Sequence, residues 1–235
     1  HWYGRWRMRT GEVYDLFRSL IDEPDETFLT LAQAQLMCDL GYREFRQTVT
    51  DIDPEVYVER FFITPSGREF DLAGTLFLTA AGVAGTNPAQ RIVRIGQVDS
   101  GANDALSYYL VPTQTPVQVE NLEGDFCLQN TKLIFSGRMS SNTLRIEYIP
   151  ESTILSTAWA SGDATAIDNL AVHHPLIALY AARYYMIRDG APNTTLVGQL
   201  REKEEALKAY LSVGRSTDSS HYIVPIRGYS KVVVS

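Results

Sequence analysis

Pro175-Leu176-Ile177-Ala178-Leu179-Tyr180-Ala181-Ala182-Arg183-Tyr184-Tyr185-Met186-Ile187 is the stretch on which the reading of this chain turns. Apolar side chains occupy almost every position, so a helix here has no solvent face and is predicted to be the buried central one. Pro175 suits the first helical turn, where its missing N–H costs nothing. Asp189-Gly190 supplies a C-cap and Pro192 a break. Leu176, Leu179, Tyr180 and Tyr184 are the residues assigned to packing in the middle of the fold.

A helix that is apolar all round needs other helices to cover it. Downstream, Asn193 or Thr194 caps a last helix expected to reach about Val213. Leu196, Leu200, Leu207 and Leu211 line one side of it, and Glu204–Lys208 forms an i,i+4 pair on the other. So short a connection requires the two helices to pack antiparallel. Upstream, Val13, Leu16, Phe17, Leu20 and Ile21 make an apolar stripe from Thr10 onward, ended by Asp22-Glu23-Pro24-Asp25-Glu26. Thr30, with Gln33 three residues on, reads as a capping box. That second helix is expected to run to Thr48, burying Leu36, Leu40 and Phe45 and exposing Arg43, Glu44 and Arg46.

Between these helical parts the period changes. From Glu55 to Pro150, Gly and Pro cut the chain into short pieces rich in Val, Ile, Tyr, Phe and Thr. Strands are predicted over Val56–Thr64, Arg68–Leu72, Arg91–Val98, Ser107–Val111, Val117–Asn121, Phe126–Gln129, Lys132–Phe135 and Thr143–Ile149. In the last, Leu144, Ile146 and Tyr148 share a face. Ala81–Pro88, Ser100–Asp104 and Ser136–Asn142 read as turns. Strands this closely spaced point to an antiparallel sandwich or small barrel. The expected fold is therefore α+β: a four-helix bundle-like part (10–50 and 170–213) with an inserted β domain (51–169).

The termini differ from this body. The first nine residues form an arm in which Arg5, Arg7 and Arg9 alternate with Trp2, Tyr3 and Trp6; either the start is processed or tagged, or Met8 is the native initiator. It has no apolar core of the signal-peptide kind. Residues 214–235 begin as a polar linker. Tyr222, Ile223, Val224, Pro225 and Ile226, then Tyr229, Val232 and Val233, follow as β-prone segments with nothing local to bury them. Exposed runs of that kind dock on a partner chain or fold back onto their own sheet.

In 235 residues, 45% hydrophobic and 21% charged, there is apolar material for a substantial core. No run approaches the about eighteen apolar residues of a membrane span. The net charge of −7 argues against a dedicated nucleic-acid binder. Motifs for nucleophilic, phosphate-binding and dinucleotide chemistry are lacking, and no cofactor is expected. His173 and His174 are adjacent, where a helical metal pair wants i,i+4 spacing, so they are read as helix-start packing residues. Asp51-Ile52-Asp53-Pro54-Glu55 lacks the glycine and distal glutamate of a calcium loop and reads as a helix exit. Cys38 and Cys127 are small buried hydrophobes. Tyr108-Tyr109 and Tyr184-Tyr185 are packing residues in preference to stacking platforms.

The order of these segments resembles the head-to-tail adaptor (connector) proteins of tailed bacteriophages. The residues that carry the likeness are Thr30-Leu31-Ala32-Gln33-Ala34-Gln35-Leu36 with Tyr42-Arg43-Glu44-Phe45, the block His174–Tyr185, and Leu200–Tyr210. Tyr148-Ile149-Pro150 is similar to the end of the last strand before the closing helical pair. A β insert of this length resembles the form in short-tailed phages. The resemblance implies a virion structural protein at the head–tail junction, made in the host cytoplasm and without enzymatic activity. It would form a homo-oligomeric ring of about twelve copies under the portal protein. Residues 222–233 would bind the portal, and the outer face would hold tail (nozzle or hub) or tail-fibre proteins. DNA would pass the lumen unbound, with no membrane involved. The alternatives are a tail-completion or collar component, and a β-sandwich carbohydrate-binding module with Tyr108, Tyr109 and Tyr148 exposed side by side. A hydrolase using Asp51, Asp53 and a distant His is the enzymatic rival.

Overall fold

The computed structural model describes residues 8–22, 28–72, 89–98, 106–129, 132–136, 143–152, 154, 156–190 and 193–218. In chain order the elements are α1 (Thr10–Leu20), α2 (Leu31–Ile52), β1 (Glu59–Ile63), β2 (Glu69–Asp71), β3 (Ala89–Val98), β4 (Leu106–Tyr109), β5 (Pro112–Thr113), α3 (Pro116–Glu120), β6 (Phe126–Gln129), β7 (Lys132–Phe135), β8 (Leu144–Pro150), α4 (Pro175–Asp189) and α5 (Thr194–Asp218). The protein is a mixed α+β chain whose sheets are almost wholly antiparallel. It divides into two compact units, His1–Asp53 with Ser156–Ser235, and Pro54–Leu155. Among the described residues no helix is long and apolar enough to cross a membrane.

In the first unit α4 packs against α1, α2 and α5. Leu176, Ile177, Ala178, Leu179, Tyr180, Ala181 and Ala182 are all buried. The burial stops there. Tyr184 and Tyr185 are only half-buried and Ile187 is exposed, so the C-terminal turns of α4 are not enclosed as their composition predicts. Gly41 makes the α2–α4 crossing possible: a Cβ there would sit 2.6 Å from the Ile177 carbonyl oxygen. Thr30 Oγ1 accepts the Gln33 N–H at 3.4 Å, closing the expected capping box. Past that cap α2 runs to Ile52, four residues further than Thr48. Its faces match expectation in part: Phe45 is buried and Arg43 exposed, Leu40 and Glu44 are half-buried, and two residues are reversed. Leu36 is 55% exposed whereas Arg46 is buried, its guanidinium 5.8 Å from the Tyr42 ring centroid. In α1 the buried stripe is Val13, Tyr14, Phe17 and Arg18, with Leu16, Leu20 and Ile21 only half-buried. Tyr14 accepts from Arg18 at 2.9 Å and lets that arginine go inside.

Gly190, at φ 69°, ends α4 in the left-handed conformation. Asn193 Oδ1 accepts the Leu196 N–H at 3.1 Å and starts α5. Leu196, Leu200, Leu207 and Leu211 are buried, and α5 continues past Val213 to Asp218. Tyr180 meets Glu204 while His173, earlier in the chain, meets Tyr210, later on α5, so α4 and α5 run antiparallel. The i,i+4 pair on α5 is Arg201–Glu205; Glu204, expected to pair with Lys208, instead accepts from Tyr180. The polar stretch 156–169 is packed on the helices, with Trp159 fully buried and its ring 5.6 Å from that of Tyr42.

The second unit holds two four-stranded sheets, ordered β1-β8-β3-β4 and β2-β7-β6-β5. Ile63, Ile95, Leu144, Ile146 and Tyr148 from the first sheet join Phe126, Leu133 and Phe135 from the second in one apolar cluster. The alternation read in β8 is the physical cause, because Leu144, Ile146 and Tyr148 all enter that cluster. Two expectations fail. β5 pairs with β6 in parallel, over Pro112–Thr113. Val117–Asn121 is not a strand: Thr115 Oγ1 accepts the Gln118 N–H and Pro116 opens α3, so a capping box overrides the β-branched composition.

Candidate functional site

The polar groups of the helical unit converge on α4. The Tyr180 hydroxyl donates to Glu204 Oε1 at 2.8 Å, and Thr48 Oγ1 on α2 lies 3.0 Å from the same oxygen. With its proton committed to the carboxylate, the phenol accepts from Thr48. Burial, then the Glu204 carboxylate, push the Tyr180 phenol up, so it stays a neutral donor. One helical turn on, Arg183 pairs with Glu44 and lies 5.4 Å from the Tyr180 ring centroid and 5.6 Å from that of Tyr184. The assigned residues Leu176, Leu179 and Tyr180 therefore sit in the packed interior. Tyr184 sits at its rim under a guanidinium.

His174 does at the start of α4 what Tyr180 does in its middle. The ring is fully buried, with Nε2 2.6 Å from Asp168 Oδ1 and Nδ1 3.1 Å from the Met8 carbonyl oxygen. Both nitrogens face oxygen acceptors, so neither is directed at a substrate. The loop this histidine secures also caps α1. Thr10 N donates to Thr165 O at 3.1 Å, Gly11 N to Asp163 O at 3.2 Å, and Thr10 Oγ1 to Asp163 Oδ1 at 2.8 Å. A histidine–aspartate pair used this way is a clasp between distant parts of the chain. His173 faces outward to Tyr210, and burial followed by the nearby His174 and Lys203 holds its pKa below 6.5.

In the β unit, the face of β8 turned away from the apolar cluster carries Arg145 and Glu147. The Glu147 side chain is 1% exposed; Arg145 Nη2 reaches it at 2.7 Å, Arg60 Nε at 3.7 Å, and Arg94 directly. Arg94 also pairs with Glu55 and lies 4.8 Å from the Tyr109 ring centroid. One buried carboxylate thus organises arginines from three adjacent strands. Sequence inspection missed this cluster, although Arg145-Ile146-Glu147 on a strictly alternating strand was its signal.

The tyrosines expected of a carbohydrate platform do not lie together on a surface. Tyr148 is 1% exposed and its hydroxyl donates to Glu59 at 3.0 Å; burial, then that bond, push it up to about 12. Tyr108 is 43% exposed and bonds Gln97. Cys38 and Cys127 are free, buried thiols, and burial raises that of Cys38. Asp51 accepts from Gln47 Nε2 at 2.7 Å at the end of α2. No three His, Cys, Asp or Glu side chains among the described residues gather to hold a metal ion. Residues 222–233, assigned to partner binding, lie outside the described residues, as do Pro24, the turns 81–88 and 100–104, and residues 1–7 of the N-terminal arm. No protein-family model matches this chain, and no curated protein matches it.

Proposed function

We propose that this chain is a virion structural adaptor, a four-helix bundle with an inserted two-sheet domain that assembles as a ring beneath a phage portal and joins it to the tail. The observation that carries the reading is the closing pair of helices. The N-terminal turns of α4 are buried among α1, α2 and α5, Tyr180 and Arg183 bond to Glu204 and Glu44 inside the unit, and the β-prone segments Tyr222–Ile226 and Tyr229–Val234 follow in sequence. Such an arrangement suits a rigid body carrying an arm that adds to a partner's sheet or fills its groove. The negative net charge is consistent with a lumen that DNA slides through without being held. Tyr148 is buried, so Tyr108, Tyr109 and Tyr148 do not stand exposed side by side as the carbohydrate-binding alternative expects.

The experiment is negative-stain imaging with light scattering of the protein alone and mixed with a portal protein of the same phage. A stoichiometric ring added under the portal, and lost when residues 215–235 are removed, is the expected result. No association with the full-length chain overturns the adaptor reading.

A further inference from the structure

In the β unit, α3 ends in a Schellman motif: Leu122 N donates to Val119 O at 3.1 Å and Glu123 N to Gln118 O at 2.9 Å. The left-handed position of that motif, usually a glycine, is held by Leu122 at φ 59°. A side chain there strains the backbone, and no burial offsets the strain, because Leu122 is 59% exposed. Val117, Glu120 and Glu123 beside it are also exposed, and neither carboxylate has an ion-pair partner among the described residues. Val117 and Glu120, three residues apart, share one face of α3 about 5–6 Å from each other. The stretch 117–123 is thus an apolar and acidic knob, kept in a costly conformation that points a leucine at solvent.

A surface of complementary character lies on the other sheet of the same unit. Alternation along β1 turns Phe61 and Ile63 to the apolar cluster and Arg60 and Phe62 to the opposite face. There Arg60, Arg94 and Arg145 outnumber the carboxylates they meet, Glu147 and Glu55. Arg94 and Arg145 bond to buried Glu147, whereas Arg60 approaches it only at 3.7 Å and is 61% exposed. Phe62, 39% exposed, stands about 7 Å from Arg60 along the strand. An apolar group beside a weakly paired cation therefore matches, at nearly the same spacing, the apolar and acidic groups of the knob.

We propose that the knob of one copy docks on the Arg60–Phe62 face of a second copy, with Val117 and Leu122 against Phe62 and with Glu120 and Glu123 against Arg60. The two faces differ, so the contact is head-to-tail and repeats from copy to copy. The inference rests on the adaptor reading for closure into a ring; the contact itself is tested without a portal. Sedimentation velocity of the full chain over a dilution series is the test, with the variants Leu122→Gly, Glu120→Lys/Glu123→Lys and Phe62→Ser. The full chain is expected to self-associate, more weakly as salt rises, and each variant to dissociate at a concentration about tenfold higher. Leu122→Gly separates docking from folding. Glycine relieves the left-handed strain, so the urea midpoint is expected to hold or rise while association falls. A full chain that stays monomeric throughout overturns the proposal, as do variants that associate as tightly as the parent. A lowered urea midpoint in Leu122→Gly overturns it too, since Leu122 then serves the fold. None of these results involves portal binding, so the adaptor reading fails or survives by its own experiment.

Discussion

Replacing Gly41 with alanine tests the central packing of the helical unit, because two effects of opposite sign meet there. Alanine in a helix interior is favoured over glycine by about 1 kcal/mol. Against this, the new Cβ would lie 2.6 Å from the Ile177 carbonyl oxygen, 2.9 Å from Ala181 N and 3.3 Å from Ala181 Cα. All three are backbone atoms of α4, so no side chain can turn aside. Restoring an ordinary contact of 3.4 Å from 2.6 Å needs α2 and α4 to part by 0.8 Å at their crossing. A gap of that size forfeits about a quarter to a half of each dispersion contact it opens, and Cys38, Phe45 and Ile177 are fully buried close by. Overpacking a tight interface costs about 1–3 kcal/mol, and a clash with fixed backbone belongs at the upper end. The clash wins, and Gly41→Ala is expected to destabilise the helical unit by about 2 kcal/mol net. Gly198, in the interior of α5, has nothing within 4 Å of an added Cβ. Gly198→Ala should accordingly stabilise by about 0.5–1 kcal/mol through propensity alone. Urea unfolding followed by Trp159 fluorescence, with Trp2 and Trp6 replaced by phenylalanine, reads this unit, since Trp159 is buried against Tyr42 on α2. Equal stabilisation by both substitutions would refute the close α2–α4 crossing.

Further outcomes follow from the other buried contacts. Tyr180→Phe should cost about 1–2 kcal/mol for the lost hydroxyl contacts, and Tyr180→Ala about 3–5 kcal/mol; a phenylalanine variant as damaging as alanine would show that the ring volume is not what matters. Glu147→Gln leaves the arginines of β1, β3 and β8 around an uncharged partner and should destabilise the β unit by about 3–5 kcal/mol. Its readout is proteolysis within 54–155, with α4 and α5 staying intact. The Asp163 carboxylate accepts the Thr165 N–H at 2.7 Å and the Thr10 hydroxyl, which hold its pKa below 3.8. Its contribution is therefore complete above pH 3.8 and is lost as pH falls through the lower folded value. Asp163→Asn should flatten the acid limb of a stability–pH curve, and an unchanged limb would mean that other carboxylates control it.

Much of the architecture was legible because its signals are local. Thr30 and Gln33 at three-residue spacing, Pro175 at a first turn, Gly190 after an apolar helix and leucines at 196, 200, 207 and 211 each act within a few residues of backbone. The β-rich composition between Glu55 and Pro150 likewise locates β1–β4 and β6–β8; it misses the two-residue β5 and reads a strand where Thr115-Pro116 and Gln118 form a cap whose geometry outweighs β propensity. The polar contacts were less legible, because their meaning depends on what stands opposite. Arg46 and Leu36 exchange their expected places since Tyr42 gives the arginine a ring to lie on. Trp159, in the polar stretch 156–169, is buried because its ring packs against Tyr42 from α2.

By itself, then, the sequence determined that this is an α+β chain, where most helices begin and end, and that α4 must be covered by other helices, since periodicity, caps and turn residues act over short range. Only the tertiary structure decided that Gly41 meets the backbone of α4, that Glu147 gathers arginines from three strands, and that His174 fastens Met8 to Asp168. Each of these joins residues far apart in the chain, and it is the packing of elements, not their composition, that brings such residues to within a few ångströms.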